Sequence, residues 1–337
     1  MKTTIEDIAK IANVSKSTVS RVLNNTGSVS EITKNKVKKI IQELDYQPNQ
    51  TARSLVTNKT NLVGIIVPDI KNPFYSKASW YSEKYFLEKD YITLILNTDN
   101  DSKMEKRSLE VLKNRNVDGI ISIGGEKDLT NIINFNSKNT IPIVLLDRKV
   151  SGYDIPSVTV DNYFGGRIVT DYLFELGHKK IIFATSSYTQ AEKERLNGFL
   201  ESYHNKNIDL KNSIIFNLDE FKWKSTSEVK RITDFLNDKN PPTAIFASND
   251  YKALQILKVL KKTNYKIPEQ ISLIGYDNIE FSSLVTPELS TVSQPIEKMI
   301  STGANMLCEL MRRGKIEHKN SVSIKPELIK RESTRKV

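Results

Sequence analysis

The sequence predicts a two-part fold. An all-α headpiece with a helix-turn-helix and a short hinge helix comes first. An α/β domain of two lobes follows, each lobe a doubly wound parallel sheet. Three observations carry this. The first 45 residues repeat apolar positions at helical spacing and hold no strand pattern. From residue 61 onward short apolar runs alternate with helix-length amphipathic stretches, and the alternation restarts after Val158–Val160. The length, 337 residues, is that of two or three domains.

In the headpiece, Thr4 followed by Asp7 is a helix-start signal, because the two side chains satisfy free amides of a first turn. Ile5, Ile8, Ala9 and Ala12 then fall on one helical face. After Asn13-Val14, Ser15 is placed to cap a second helix whose apolar side is Val19, Val22 and Leu23. The turn cluster 24–28 precedes a third helix, from about Glu31 to Asp45, with Val37, Ile40, Ile41 and Leu44 inward. Such a unit puts the start of its second helix into a major groove, where Lys16 and Ser17 lead and the Arg21 fork suits guanine. Residues 1–60 hold ten basic and five acidic residues against 40 and 35 in the rest. Half of the net charge of +10 thus lies in the first sixth of the chain, which favours DNA over a merely solvated helical bundle. Pro48 ends the third helix, and 50–56 is one helical segment too short to stand alone in water. Leu55 on such a segment suits a wedge in a minor groove.

Residues 4–55, with Thr-Ile-Glu-Asp-Ile-Ala, Val-Ser-Lys-Ser-Thr-Val-Ser-Arg-Val-Leu-Asn and Tyr-Gln-Pro-Asn-Gln-Thr-Ala-Arg-Ser-Leu, resemble the headpiece and hinge of the lactose-repressor family of bacterial transcription regulators. The resemblance implies that Lys16, Ser17 and Arg21 read bases. It implies that Thr4, Ser15, Thr18 and Asn24 position on phosphates, that Ala52 and Leu55 enter the minor groove, and that Asn49 belongs to the same DNA-binding set.

Strands are expected at 62–67, 92–97, 119–123, 143–146 and 158–160 for the first lobe, with helices near 75–89, 103–115 and 128–138. The second lobe is expected to carry helices 163–176, 190–204, 225–237 and 250–262 between strands 180–184, 213–216, 243–247 and 271–275. The last segments (289–294, helix 296–312, strand 321–324) are left to pair with either lobe. Ligands of open α/β sheets bind beyond the carboxyl ends of strands. At those ends stand Asp69, the polar run 97–101, Asp147, Asn249, Asp250 and Asp277, a set rich in acceptors that suits a hydroxyl-bearing ligand. Each Asp alone serves equally well as a cap or turn residue. Arg195 offers a fork to paired hydroxyls or a carboxylate, the competing role being a surface arginine. Trp223 in a loop offers an aromatic face, with core burial as the alternative.

The resemblance covers this region as well, through 63–74 (Val-Gly-Ile-Ile-Val-Pro-Asp-Ile-Lys-Asn-Pro-Phe), Val-Asp-Gly-Ile-Ile, Glu-Leu-Gly-His-Lys-Lys-Ile, Pro-Thr-Ala-Ile-Phe-Ala-Ser-Asn-Asp and Ile-Gly-Tyr-Asp-Asn. These are similar to the regulatory domain of the same family, which is related to periplasmic sugar-binding proteins. By matching position, Asp69, Phe74, Tyr75, Asp147, Arg195, Trp223, Asn249 and Asp277 would line an effector cleft, and His178 would be structural. Residues 78–81, 88–90 and 186–187 depart from the family pattern, which bears on the effector's shape. The expected boundaries are a headpiece over 1–48, a hinge over 49–60, a first lobe over 61–160 plus about 293–322, and a second over 161–292 plus about 323–337.

The implied function is a ligand-responsive repressor on a palindromic operator, with a sugar or sugar phosphate between the lobes. The alternatives are a catabolite-type regulator with a phosphoprotein corepressor, met by Lys71, Lys77 and Lys84, and a purine-sensing repressor. A transport protein is disfavoured by the headpiece and the missing leader. An enzyme is disfavoured because no nucleotide motif or nucleophile–base pair stands out. One cysteine and three scattered histidines point to no metal or cofactor. No apolar run is long enough for a membrane, and the lack of a leader gives a cytoplasmic expectation. No leucine heptad follows residue 334, so a homodimer is expected rather than a tetramer.

Overall fold

A computed structural model describes residues 4–24, 26–46, 59–125, 128–186, 189–217, 232–263, 265–314 and 321–337. The chain divides into two compact units, Met1–Thr60 and Asn61–Val337.

The first unit holds α1 (Ile5–Ala12), α2 (Lys16–Asn24) and α3 (Glu31–Glu43). Thr4 and Asp7 form the expected reciprocal cap, and Asn13 ends α1 in the left-handed region at φ 54°. Ser15 Oγ accepts from Thr18 N (3.1 Å), and Ser30 caps α3. Ile8, Ala9, Ala12, Val19, Val22, Val37 and Ile40 close one small core, with Leu23 and Ile41 packed against it. Leu44 departs from the expectation: it has the right helical spacing but lies just past the end of α3, as its C-cap, and is exposed.

The second unit begins with β1 (Leu62–Val67), α4 (Pro73–Leu87), β2 (Ile92–Asn97), α5 (Ser102–Asn114), β3 (Gly119–Ile123), α6 (Thr130–Lys138), β4 (Ile143–Leu146) and β5 (Ser157–Val160). It continues with α7 (Asn162–Glu175), β6 (Ile181–Thr185), α8 (Gln190–Asn205), β7 (Ser213–Asn217), β8 (Ala244–Ala247), α9 (Asp250–Lys262) and β9 (Ser272–Ile274). Then come β10 (Thr291–Ser293), α10 (Ile296–Arg313), β11 (Ser321–Ile324) and β12 (Glu327–Ile329). Two parallel sheets result, β11-β5-β4-β3-β1-β2 and β7-β6-β8-β9. A small antiparallel pair, β10-β12, is tied to the second sheet by the bridges Ile274↔Ser290 and Asp277↔Ser293.

Alternating strand residues feed two cores in each lobe, as a sheet covered on both faces requires. In the first lobe, Ile65, Val67, Ile121, Ile123 and Val144 meet α4 and α10, while Ile66, Ile120, Ile143 and Leu145 meet α5 and α6. In the second, Phe183 and Phe246 meet α7 and α8, while Ile182 and Ile245 meet α9. The trailing segments divide between the lobes: β11 extends the first sheet through Ile324, α10 packs on that lobe, and β10 and β12 join the second. The chain therefore crosses between lobes three times, at 161–162, 294–295 and 325–326. Strand β12 is an element that the sequence pattern did not mark.

Candidate functional site

In the headpiece, Lys16, Ser17 and Thr18 occupy the first turn of α2, and Arg21 lies one turn further on the same helix. The side chain of Arg21 folds over Gly27, whose φ of 72° opens the turn after α2. Lys16 is ion-paired to Glu6 of α1. Thr4 and Ser15 spend their hydroxyls on caps, with Ser15 also bonded to Ser17 (2.7 Å) and Thr18 (2.9 Å). Asn24 is the last residue of α2. Asn49, Ala52 and Leu55 lie outside the described residues.

In the second unit the strand ends converge on a small polar cleft of about 50 Å³ that opens to solvent. Asp69 follows β1, Phe74 and Tyr75 open α4, Asp147 follows β4, and Asn249 caps α9 after β8. Asp277 follows β9, and Arg195 stands on α8. All seven line this cleft. The eighth expected residue, Trp223, lies outside the described residues.

Arg195 is the centre of the site. It is buried at 3% exposure. Its Nε donates to Asn162 Oδ1 (2.8 Å) and its Nη1 to the Ser248 carbonyl (2.6 Å). Its guanidinium lies 3.7 Å from the Tyr276 ring centroid, and Asp277 Oδ1 is 3.6 Å from Nη1. Burial opposes its charge, but Asp277, Tyr276 and Asp147 outweigh burial and hold its pKa above the usual arginine value. Both neighbouring carboxylates are pushed up by burial, against the pull of Arg195: Asp147 to about 6 and Asp277 to about 7. Asp277 accepts from Gln294 Nε2 (2.6 Å), whereas Asp147 Oδ1 has no hydrogen-bond partner. Both aspartates sit in the left-handed backbone region, at φ 58° and 114°, where Asp is tolerated better than most residues.

A second polar knot forms the wall beside Arg195. Glu192 accepts from Lys252 Nζ (2.6 Å), Ser248 Oγ (2.6 Å) and Ser186 Oγ (2.9 Å). Burial works against its charge, and the Lys252 ammonium with these hydrogen bonds overcomes it, bringing the carboxyl down to about 2. Burial also drives the Tyr75 hydroxyl well above its ordinary value, so it stays a neutral donor.

The strand-end rule missed Asn72, Glu192, Lys252 and Gln294, all cleft-lining. Glu192 precedes Arg195 by one helical turn, so a shared face was a usable signal. Gln294 stands in a crossover without periodicity and had none. His178 is buried between Thr243 Oγ1 (2.8 Å) and the Arg335 carbonyl (3.0 Å), joining two segments of the second lobe. Gly124 and Gly125 form a turn at φ 57° and 106°. Among the described residues, no group of His, Cys, Asp and Glu is arranged to hold a metal, and no helix is long and apolar enough to cross a membrane.

Comparison with known proteins matches residues 4–49 to the family model described as bacterial regulatory proteins, lacI family. Residues 170–334 match the periplasmic binding protein-like domain. The HTH-type transcriptional regulator DegA of Bacillus subtilis (strain 168) is 36% identical, over 99% of this chain and 98% of its own. The HTH-type transcriptional repressor PurR of Aliivibrio salmonicida (strain LFI1238) is 32% identical, over 99% of each. A solved periplasmic binding protein/LacI transcriptional regulator from Alkaliphilus metalliredigens QYMF, complexed with D-xylulofuranose, superposes with a TM-score of 0.71 at 29% identity. That match covers 81% of this chain and 99% of the solved one.

Proposed function

Because the chain belongs to the lacI family of bacterial regulatory proteins, we propose that it is a ligand-responsive transcription repressor, binding a palindromic operator as a homodimer and taking a sugar-type effector between its two lobes. In this reading it is a cytoplasmic protein without a catalytic role. The observation that carries the effector assignment is the buried Asp147–Arg195–Asp277 array, which leaves Asp147 Oδ1 without a donor. A buried acceptor of that kind is costly until a ligand hydroxyl supplies the hydrogen bond.

Lys16, Ser17 and Arg21 lead on base edges, and the surrounding basic residues supply the sequence-independent attraction. The dimer is supported by the edge strand β2, where Ile92 and Ile95 are exposed, together with Trp80 and Leu87 on α4. Apolar side chains on an open sheet edge invite a second copy. An effector that favours one lobe arrangement would shift operator affinity by a coupling of about 1–3 kcal/mol.

Charge favours an uncharged polyol over a sugar phosphate. Among the described residues, the two cations that line the cleft, Arg195 and Lys252, already face carboxylates, and Asp69 and Asp147 add further negative charge. A purine-sensing repressor is the second reading, favoured by the likeness to the repressor PurR. A phosphoprotein corepressor ranks below it. Of the lysines that would meet one, Lys71 lies 3.8 Å from Asp69 and Lys84 lies over the Trp80 ring.

A thermal-shift panel of neutral pentoses and hexoses, their phosphates, and purines tests the assignment. A ligand at 100 times its Kd adds about 2.7 kcal/mol. The expected result is stabilisation by a neutral sugar that Asp277→Ala abolishes. Stabilisation by purines alone, or a shift retained by Asp277→Ala, would contradict it.

A further inference from the structure

Two residues outside the expected effector set stand at the lobe crossovers. Asn162 closes the 161–162 crossing as the first residue of α7 and is 2% exposed. Its Nδ2 donates back to the Val160 carbonyl (3.2 Å), the last residue of β5 in the first lobe's sheet. Its Oδ1 accepts from Arg195 Nε in the second lobe. At the second crossing Gln294, also buried, donates to Asp277 at 2.6 Å, and its backbone carbonyl accepts from Ile296 N at the start of α10. Each half of the Arg195–Asp277 pair is thus gripped by a different crossover.

We propose that Asn162 and Gln294 are positioning residues that tether the two charged groups of the cleft to the chain crossings, so that any change in the Arg195–Asp277 contact is delivered directly to the segments about which the lobes turn. A short amide at each crossing does what a long relay of packed side chains would otherwise have to do. One bond spans from cleft to crossing, and both bonds are shielded from competing water. The biological consequence rests on the effector reading above. The tether itself does not, and its test needs no ligand.

The experiment is hydrogen exchange with mass spectrometry on the ligand-free full-length chain, following peptides across 157–165 and 289–297. Asn162→Ala and Gln294→Ala should each accelerate exchange at their own crossing on the order of tenfold, the scale set by loss of a charge-assisted or buried hydrogen bond. Asn162→Asp keeps the oxygen that Arg195 uses but loses the donor to the Val160 carbonyl, so it should recover only part of the protection at 157–165. Thr170→Val is the control. It removes a buried hydroxyl bonded to the Gly166 carbonyl (2.8 Å) in α7, within the second lobe. It should lower the melting temperature while leaving both crossings protected. Unchanged exchange in both alanine variants, or equal acceleration in Thr170→Val, would overturn the tether. If Asn162→Ala does not fold, Gln294→Ala carries the same comparison. A tether confirmed in a protein that then answers to no sugar would separate the failure of the effector reading from this one.

Discussion

The Arg195 guanidinium donates to Asn162 and Ser248, covers the Tyr276 ring and faces Asp277, all inside a buried wall. Removing it strands two buried carboxylates. Arg195→Met should therefore cost about 3–5 kcal/mol of stability in chemical denaturation, well beyond what an exposed arginine would cost. The aspartates also give a pH signature. Asp277 binds its proton more tightly folded than unfolded, since burial raises it to about 7. Its contribution is thus full below the ordinary carboxylate range and is lost as pH rises through about 7. Between about pH 6.5 and 8 the ligand-free domain should lose about 1 kcal/mol, and Asp277→Asn should flatten that slope. Asp147, at about 6, adds in the same direction, and Glu192, brought down to about 2, stays ionised throughout. At this scale the sequence showed a good deal. Asp69, Asp147, Asn249 and Asp277 were visible because strand ends point at a cleft in any doubly wound sheet. It could not show that Asn249 also caps α9, nor that Lys252 is drawn inward to Glu192, because those depend on which helix faces which wall.

Helices α7 and α8 pack so closely that side chains are excluded at the crossing. A Cβ on Gly198 would sit 2.0 Å from the Tyr163 carbonyl oxygen, and one on Gly166 would sit 2.1 Å from the carbonyl oxygen of Arg195. The contact therefore sets the height of Arg195 in the cleft. Gly198→Ala should destabilise by about 1–3 kcal/mol or more, since backbone must give way rather than a flexible side chain. A melting temperature within a degree of wild type would show the crossing to be looser than described. Element identity was legible because buried strands of four to six residues and amphipathic helices of eight or more differ in period. What escaped was short or aperiodic. Strand β12 has only three residues, and its pairing with β10 comes from the far side of α10. Leu44 carried the right spacing for the headpiece core, but α3 had already ended.

For the whole molecule, the charge of +10 separates into two different contributions. The headpiece share sits on short helices and should make operator binding fall steeply with salt. Within it, Arg21→Ala should cost about 1–3 kcal/mol and relax one base position; an unchanged base preference in a selection from random duplexes would remove Arg21 from base reading. The remaining charge is spread over a surface whose cleft is acidic, so the chain's overall pI said little about the ligand. The two-lobed architecture was legible from the restart of the alternation near residue 161, whereas the three crossings were not, because each has only one or two residues of loop. The most direct test of the account joins its two ends. Operator affinity, on a duplex selected with the wild-type protein, is measured with and without each sugar of the panel for wild type and for Asp277→Ala. A neutral sugar should change wild-type affinity by about tenfold or more, while Asp277→Ala binds the same operator and ignores the sugar. No response from the wild type to any sugar, or an equal response from both proteins, would contradict it.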